Sequence, residues 1–182
     1  ALSRPFCLLD ACTARGLKVK EAKHDFHFLQ PGEKAVIVGY GGLDGGLRQR
    51  LGEIHICEMR PLPALQTLTI GENIVYGPAG VHFHAASSNP QTLADADALF
   101  LSGCTLVNGT WRQLIRDAKR ARIIGMFGPS AQLLPECLLT RGIHYLHTTR
   151  IEDGEACAQR LADGICRDIF QDIAANYVIQ TF

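Results

Sequence analysis

The chain has 182 residues, 18 basic against 18 acidic, with 47% hydrophobic and 20% charged side chains. That length suits one domain, or one domain with a short appendage, and that composition can bury a core and excludes a disordered chain. A formal net charge of zero supplies no basic face to neutralise phosphates, so no nucleic-acid partner is expected. The densest basic run, residues 112–122, reads as the solvated face of a helix.

No apolar run approaches the ~20 residues needed to cross a bilayer, so no membrane partner is expected. The chain opens Ala1-Leu2-Ser3-Arg4-Pro5, without Met and without a charged-then-apolar leader, and so reads as a fragment or a processed product. Its seven cysteines, at 7, 12, 57, 104, 137, 157 and 166, contain no C-x-x-C pair, which excludes a zinc ribbon or a thioredoxin-like motif. A reducing cytoplasm is the expected compartment. Cys57 and Cys104, set in apolar stretches, are expected as buried small hydrophobes.

In chain order, residues 1–30 hold one helix, with Phe6, Leu9 and Ala14 apolar, and then a polar stretch from 18 to 30. Residues 35–38 form a strand stopped by Gly39, followed by a helix over 43–51. A second strand over 54–57 ends at Glu58. Residues 61–90 are a long insertion, expected to form a small hairpin or a flap over the site. Strands at 98–101, 122–127 and 143–146 then alternate with helices at 111–121 and 133–140, the latter stopped by Arg141-Gly142. A final helix over 153–175 places Ala156, Leu161, Ile165, Ile169 and Ile173 on one stripe. Short apolar strands alternating with helices predict an α/β fold: a Rossmann-like, doubly wound, mainly parallel sheet of about five or six strands with helices on both faces. The domain reading is an N-terminal helical segment over 1–30 and a Rossmann-like domain over 31–182.

In such a sheet ligands bind at the carboxyl ends of the strands. Gly39-Tyr40-Gly41-Gly42 opens a helix and lets backbone approach an anion, so Gly39 and Gly41 are candidate ligand residues. The spacing misses G-x-G-x-x-G, because Asp44 stands where the third glycine belongs. Glu58 lies 19 residues after Gly39, where a ribose-binding acid sits in NAD or S-adenosylmethionine sites. Two further turns, 102–110 and 128–131, combine glycines with hydroxyls and an amide, and nominate Thr105, Asn108, Gly128 and Ser130. His82 and His84 alternate on one strand face and could share a transition-metal ion, with His55, Glu58 or a cysteine as third ligand. His24 and His27 could share a helix face without further support for ligation, and Cys7 and Cys12 pack separately. Neither G-x-S-x-G nor a phosphate-binding G-x-x-x-x-G-K-[ST] occurs, so no catalytic residue is assignable.

The strings Ser102-Gly103-Cys104-Thr105-Leu106-Val107-Asn108-Gly109-Thr110 and Gly128-Pro129-Ser130-Ala131 resemble those of the putative heavy-metal chelatase family of bacteria and archaea. Val36-Ile37-Val38-Gly39 and Glu58 resemble that family's first two strand ends, and the likeness covers residues 33 to 150. The resemblance implies a Rossmann-like domain that normally follows an enolase-N-like module, a site between the two, and a role in handling heavy metals. By that resemblance the sequence is expected to begin near the end of the first module, and the insertion or a second subunit would supply the missing wall. A small-molecule or metal ligand is therefore the expected partner, and a homo-oligomer is compatible. Two other readings stay open: a nucleotide-cofactor enzyme using NAD or S-adenosylmethionine, and a non-catalytic regulatory or interaction domain.

Overall fold

The computed structural model describes residues 7–21, 26–41, 43–70, 73–76, 79–165 and 169–182. Helix α1 (Leu9–Ala14) and strand β1 (Val19–Glu21) precede β2 (Ala35–Val38) and α2 (Asp44–Leu51). Strand β3 (Ile54–Glu58) runs through a 3-10 turn into a hairpin, β4 (Gln66–Ile70) and β5 (Asn73–Tyr76). Then come β6 (Val81–Ala85), α3 (Asn89–Leu93), β7 (Ala98–Ser102), α4 (Cys104–Val107) and α5 (Trp111–Asp117). The chain closes with β8 (Ile123–Phe127), α6 (Pro135–Leu139), β9 (Tyr145–Ile151), α7 (Gly154–Ala162) and β10 (Ala174–Gln180).

Among the described residues, ten strands make an eight-stranded sheet, ordered β1-β10-β9-β8-β7-β2-β3-β6, and the separate β4–β5 hairpin. From β9 to β6 every pairing is parallel, whereas β10 and β1 join antiparallel at the β9 edge. The parallel strands are the apolar ones because both of their faces are covered: β2 and β8 are buried at every position. On one face, Val36, Val38, Leu99 and Leu101 pack against Leu93 of α3, Trp111 and Leu114 of α5 and Leu138 of α6. On the other, Ile37, Ile54, Ile56 and Phe100 pack against Leu47 of α2, with Phe26 and Leu29 alongside. Strand order reverses at β2, which has β3 on one side and β7 on the other, so the helices after β2 and β7 leave a crevice beyond its carboxyl end.

The doubly wound parallel sheet stands as expected, with more strands than the five or six read from the sequence. Within residues 61–90 the hairpin is present, but Val81–Ala85 is no part of a flap, because it pairs with β3 at the sheet edge. The last predicted helix stops at Ala162; Leu161 and Ile165 are exposed, and Ala174–Gln180 is a strand paired with β9. A stripe of apolar residues at helical spacing did not separate a helix from a following strand, because Tyr177, Val178 and Ile179 gain full burial only through pairing across the sheet. The strand read at 143–146 starts later and runs longer, as Tyr145–Ile151. No helix among the described residues is long and apolar enough to cross a membrane.

Phe100 is fully buried at the centre of β7, with its ring 5.7 Å from Phe26 and 6.1 Å from Tyr145. Phe100→Ala should lower the unfolding free energy by about 3–5 kcal/mol. Urea denaturation measures this as a lower midpoint at unchanged slope; a loss below about 1 kcal/mol would show that the ring cluster is not part of the core.

Candidate functional site

At the switch point lies a cleft of about 500 Å³. Its walls come from the ends of β2 (Gly39, Tyr40), β3 (Glu58, Met59, Arg60) and β7 (Ser102, Cys104, Thr105), with Asn89 of α3 and Asn108 closing the sides. The strand ends meet because the turns approach closely. Gly39 has φ +94°, and a Cβ there would stand 2.8 Å from Ser102 Cβ, so only glycine lets the turns after β2 and β7 touch. A Cβ on Gly103 would lie 2.4 Å from the backbone nitrogen of Ala131, so the turn after β8 packs directly beneath the turn after β7.

Glu58 is nearly buried and accepts four hydrogen bonds. Oε1 receives the backbone N–H groups of Met59 (2.8 Å) and Arg60 (3.0 Å). Oε2 receives the Tyr40 N–H (3.0 Å) and the Arg60 guanidinium (3.0 Å). Burial alone would raise its pKa, but the Arg60 guanidinium and the N–H groups of Arg60 and Tyr40 override it and hold the carboxyl at about 2. An ionised carboxylate has about four acceptor sites, and all are filled here. Glu58 therefore fastens the β2 turn to the β3 turn and fixes Arg60, whose guanidinium stays half-exposed at the cleft rim, 6.0 Å from the Tyr40 ring centre.

Of the residues read from the sequence, Gly39, Glu58, Thr105 and Asn108 line the cleft. The Thr105 hydroxyl is buried and donates to the Ser102 carbonyl at 2.8 Å. Asn108 Oδ1 accepts from the Thr110 N–H (3.1 Å) and hydroxyl (2.7 Å) in the turn that precedes α5, which leaves its amide hydrogens facing Met59. Gly41, Gly128 and Ser130 do not line the cleft. Gly128 donates to the His147 carbonyl and accepts from Ala131, and Ser130 packs against Gly103, so the fourth turn supports the third. Cys57 is buried as expected, and burial, partly offset by the Thr92 hydroxyl, pushes its thiol up to about 11. Cys104 is exposed instead, because it opens α4 at the cleft. Tyr40, Met59, Arg60 and Asn89 were not read from the sequence; Arg60 was within reach, standing two residues after the acid at a strand end.

His82 and His84 do share a face of β6, but they flank His55 of β3 rather than each other. The parallel register sets His55 beside His82 and Cys57 beside His84. His55 Nδ1 lies 2.9 Å from His84 Nε2, with ring centres 5.2 Å apart and planes 24° apart. Ring centres that far apart with nitrogens that close describe an edge-to-edge N–H···N bond, not a face-to-face stack. Burial first, then Lys34 and the neighbouring imidazoles, lowers the His55 pKa to about 4. Among the described residues no three or more His, Cys, Asp or Glu side chains are grouped to hold a metal ion. His24 lies outside the described residues.

A larger hollow of about 810 Å³ lies on the antiparallel side of the sheet, with Lys20, Phe28, Glu152 and Asn176 among its walls. No strand-end turns converge on it.

A doubly wound α/β domain with a cleft at its switch point is a Rossmann-like domain. Residues 24–180 match the family described as "Putative heavy-metal chelation" (DUF364), and the chain belongs to that family. An uncharacterized protein of Methanocaldococcus jannaschii is 32% identical over 88 residues, covering 48% of this chain and 34% of that protein. Two crystal structures of family members of unknown function share the fold. The Pyrococcus horikoshii protein has a TM-score of 0.69 at 20% identity, over 94% of this chain and 65% of the other. The Desulfitobacterium hafniense protein has a TM-score of 0.71 at 16% identity, over 97% and 63%. The chain thus spans less than two thirds of the length of each of these relatives.

Gly39→Ala should cost about 1–3 kcal/mol, from strain at positive φ and the collision with Ser102. Chemical denaturation measures it, and a neutral result would mean that the two turns are not in contact. Because the Glu58 pKa is depressed in the fold, its contribution to stability is complete above pH 4.5 and is lost as pH falls toward 2. Thermal melts from pH 6 to pH 2.5 should show a shallower acid limb in Glu58→Gln than in the parent; parallel limbs would contradict the four-donor arrangement.

Proposed function

We propose that this domain binds a small organic anion in the switch-point cleft, with Arg60 as the charged contact and the Asn108 amide and Gly39 turn as polar contacts. The observation that carries this reading is the Arg60 guanidinium, fixed by a saturated carboxylate and still offering donors to the cleft. In a family described by heavy-metal chelation, a carboxylate- or phosphate-bearing molecule able to carry a metal is the ligand class that this chemistry favours. The cleft itself is poorly suited to a bare cation, since Glu58 has no acceptor site to spare and Cys57 stays a neutral thiol. The same saturation weakens the nucleotide-cofactor reading, which needs Glu58 to accept from a ribose hydroxyl.

Met59 and Val107, both largely exposed, supply apolar surface to cover. They fit a second wall contributed by an additional module or a second copy of the chain. Among the described residues six cysteines are free thiols, two of them exposed, which fits a reducing cytoplasm.

Thermal-shift titration with citrate, inorganic phosphate, NAD and S-adenosylmethionine tests the reading. Citrate or phosphate should stabilise the parent, Arg60→Ala should weaken that response at least tenfold, and Arg60→Ala with Asn108→Ala should abolish it while the protein stays folded. A response that is the same in all three proteins would remove the ligand from this cleft, and a response to NAD or S-adenosylmethionine alone would revive the cofactor reading.

A further inference from the structure

A buried acceptor in the wall of the switch-point cleft has no donor among the described residues. Asn89, the first residue of α3, lines the cleft together with Val38, Cys57 and Leu114. Its Oδ1 is shut off from solvent and accepts no hydrogen bond. The side chain does not cap its own helix either, since no side-chain hydrogen bond caps α3. Other polar side chains of the cleft are committed within the protein. Glu58 accepts four bonds, Thr105 donates to the Ser102 carbonyl, and Asn108 Oδ1 holds Thr110. A buried amide oxygen without a donor has lost its hydration with nothing to replace it, and folded proteins carry few such atoms. Solvent does not reach this one, so its donor has to arrive with whatever fills the cleft.

Building on the anion reading of this cleft, we propose that Asn89 sets its specificity and that the ligand is a hydroxy-carboxylate. The ligand's hydroxyl donates to Asn89 Oδ1 while Arg60 holds a carboxylate. A neutral hydroxyl suits this oxygen better than an ammonium group does. Glu58, the carboxylate in the cleft wall, is already paired with the Arg60 guanidinium at 3.0 Å. A cationic amine would therefore lose its water against a neutral amide and an apolar wall, without a free counter-charge. A hydroxyl has one hydrogen to donate and carries no charge to desolvate. Discrimination follows from the same oxygen. An acid of equal size without the hydroxyl leaves Asn89 unpaired beneath it, and sites built to bind a ligand hydroxyl reject such analogues strongly.

Citrate and tricarballylate differ by a single hydroxyl, and isothermal titration calorimetry in metal-free buffer compares them. The parent should bind citrate at least tenfold more tightly. Asn89→Leu, similar in size and without the acceptor, should bring citrate affinity to within threefold of the tricarballylate value. Tricarballylate itself should bind that variant within threefold of the parent. Without ligand, Asn89→Leu should melt no lower than the parent, because no bond made inside the protein is lost. Equal affinity of the parent for the two acids, each still weakened by Arg60→Ala, would overturn the hydroxyl assignment and leave the anion reading standing. A citrate preference that persists in folded Asn89→Leu, or a melting temperature several degrees below the parent, would overturn the assignment as well. A parent that binds neither acid, or binds both regardless of Arg60→Ala, would remove the anion reading and the hydroxyl assignment with it.

Discussion

Four donors on one nearly buried carboxylate hold the functional end of this domain together. A carboxylate taken out of water without partners is costly, and Glu58 avoids that cost only if the turns after β2 and β3 deliver their N–H groups to it at once. The two turns are therefore not independent loops. The contact between Gly39 and Ser102 adds the turn after β7, and the contact between Gly103 and Ala131 adds the turn after β8. Four strand ends thereby become one rigid floor, and Arg60 is positioned on it by the same carboxylate.

This changes what each polar group in the cleft can do. A filled carboxylate neither ligates a cation nor accepts from a sugar, and a threonine whose proton is given to a carbonyl does not donate to a ligand. What remains for a ligand is a guanidinium, amide hydrogens and an apolar back wall that includes Val38 and Leu114. That inventory matches an anion with an apolar body.

Much of the fold was legible because burial on both faces leaves a plain mark: Ala35-Val36-Ile37-Val38 and Ile123-Ile124-Gly125-Met126-Phe127 can hardly be anything but central strands. Strand β1 was not legible, since Val19-Lys20-Glu21 is short, mostly polar and defined only by its pairing with β10. Strand β10 was hidden behind an apolar stripe of helical spacing. At the site, glycines and hydroxyls in the turns marked the right strand ends, but roles did not follow from residue type. Gly128 and Ser130 look like an anion nest in sequence and act as the support of the neighbouring turn, a difference set by the 2.4 Å approach at Gly103. The pairing of His55 with His84 depended on strand register, which local sequence does not encode.

The location of the ligand is the central claim, and backbone amide chemical-shift mapping during a citrate titration tests it most directly. The account predicts the largest shifts at Tyr40, Arg60, Cys104 and Asn108, around the 500 Å³ cleft. Shifts confined to Lys20, Asn176 and their neighbours, around the 810 Å³ hollow beside β1 and β10, would contradict it.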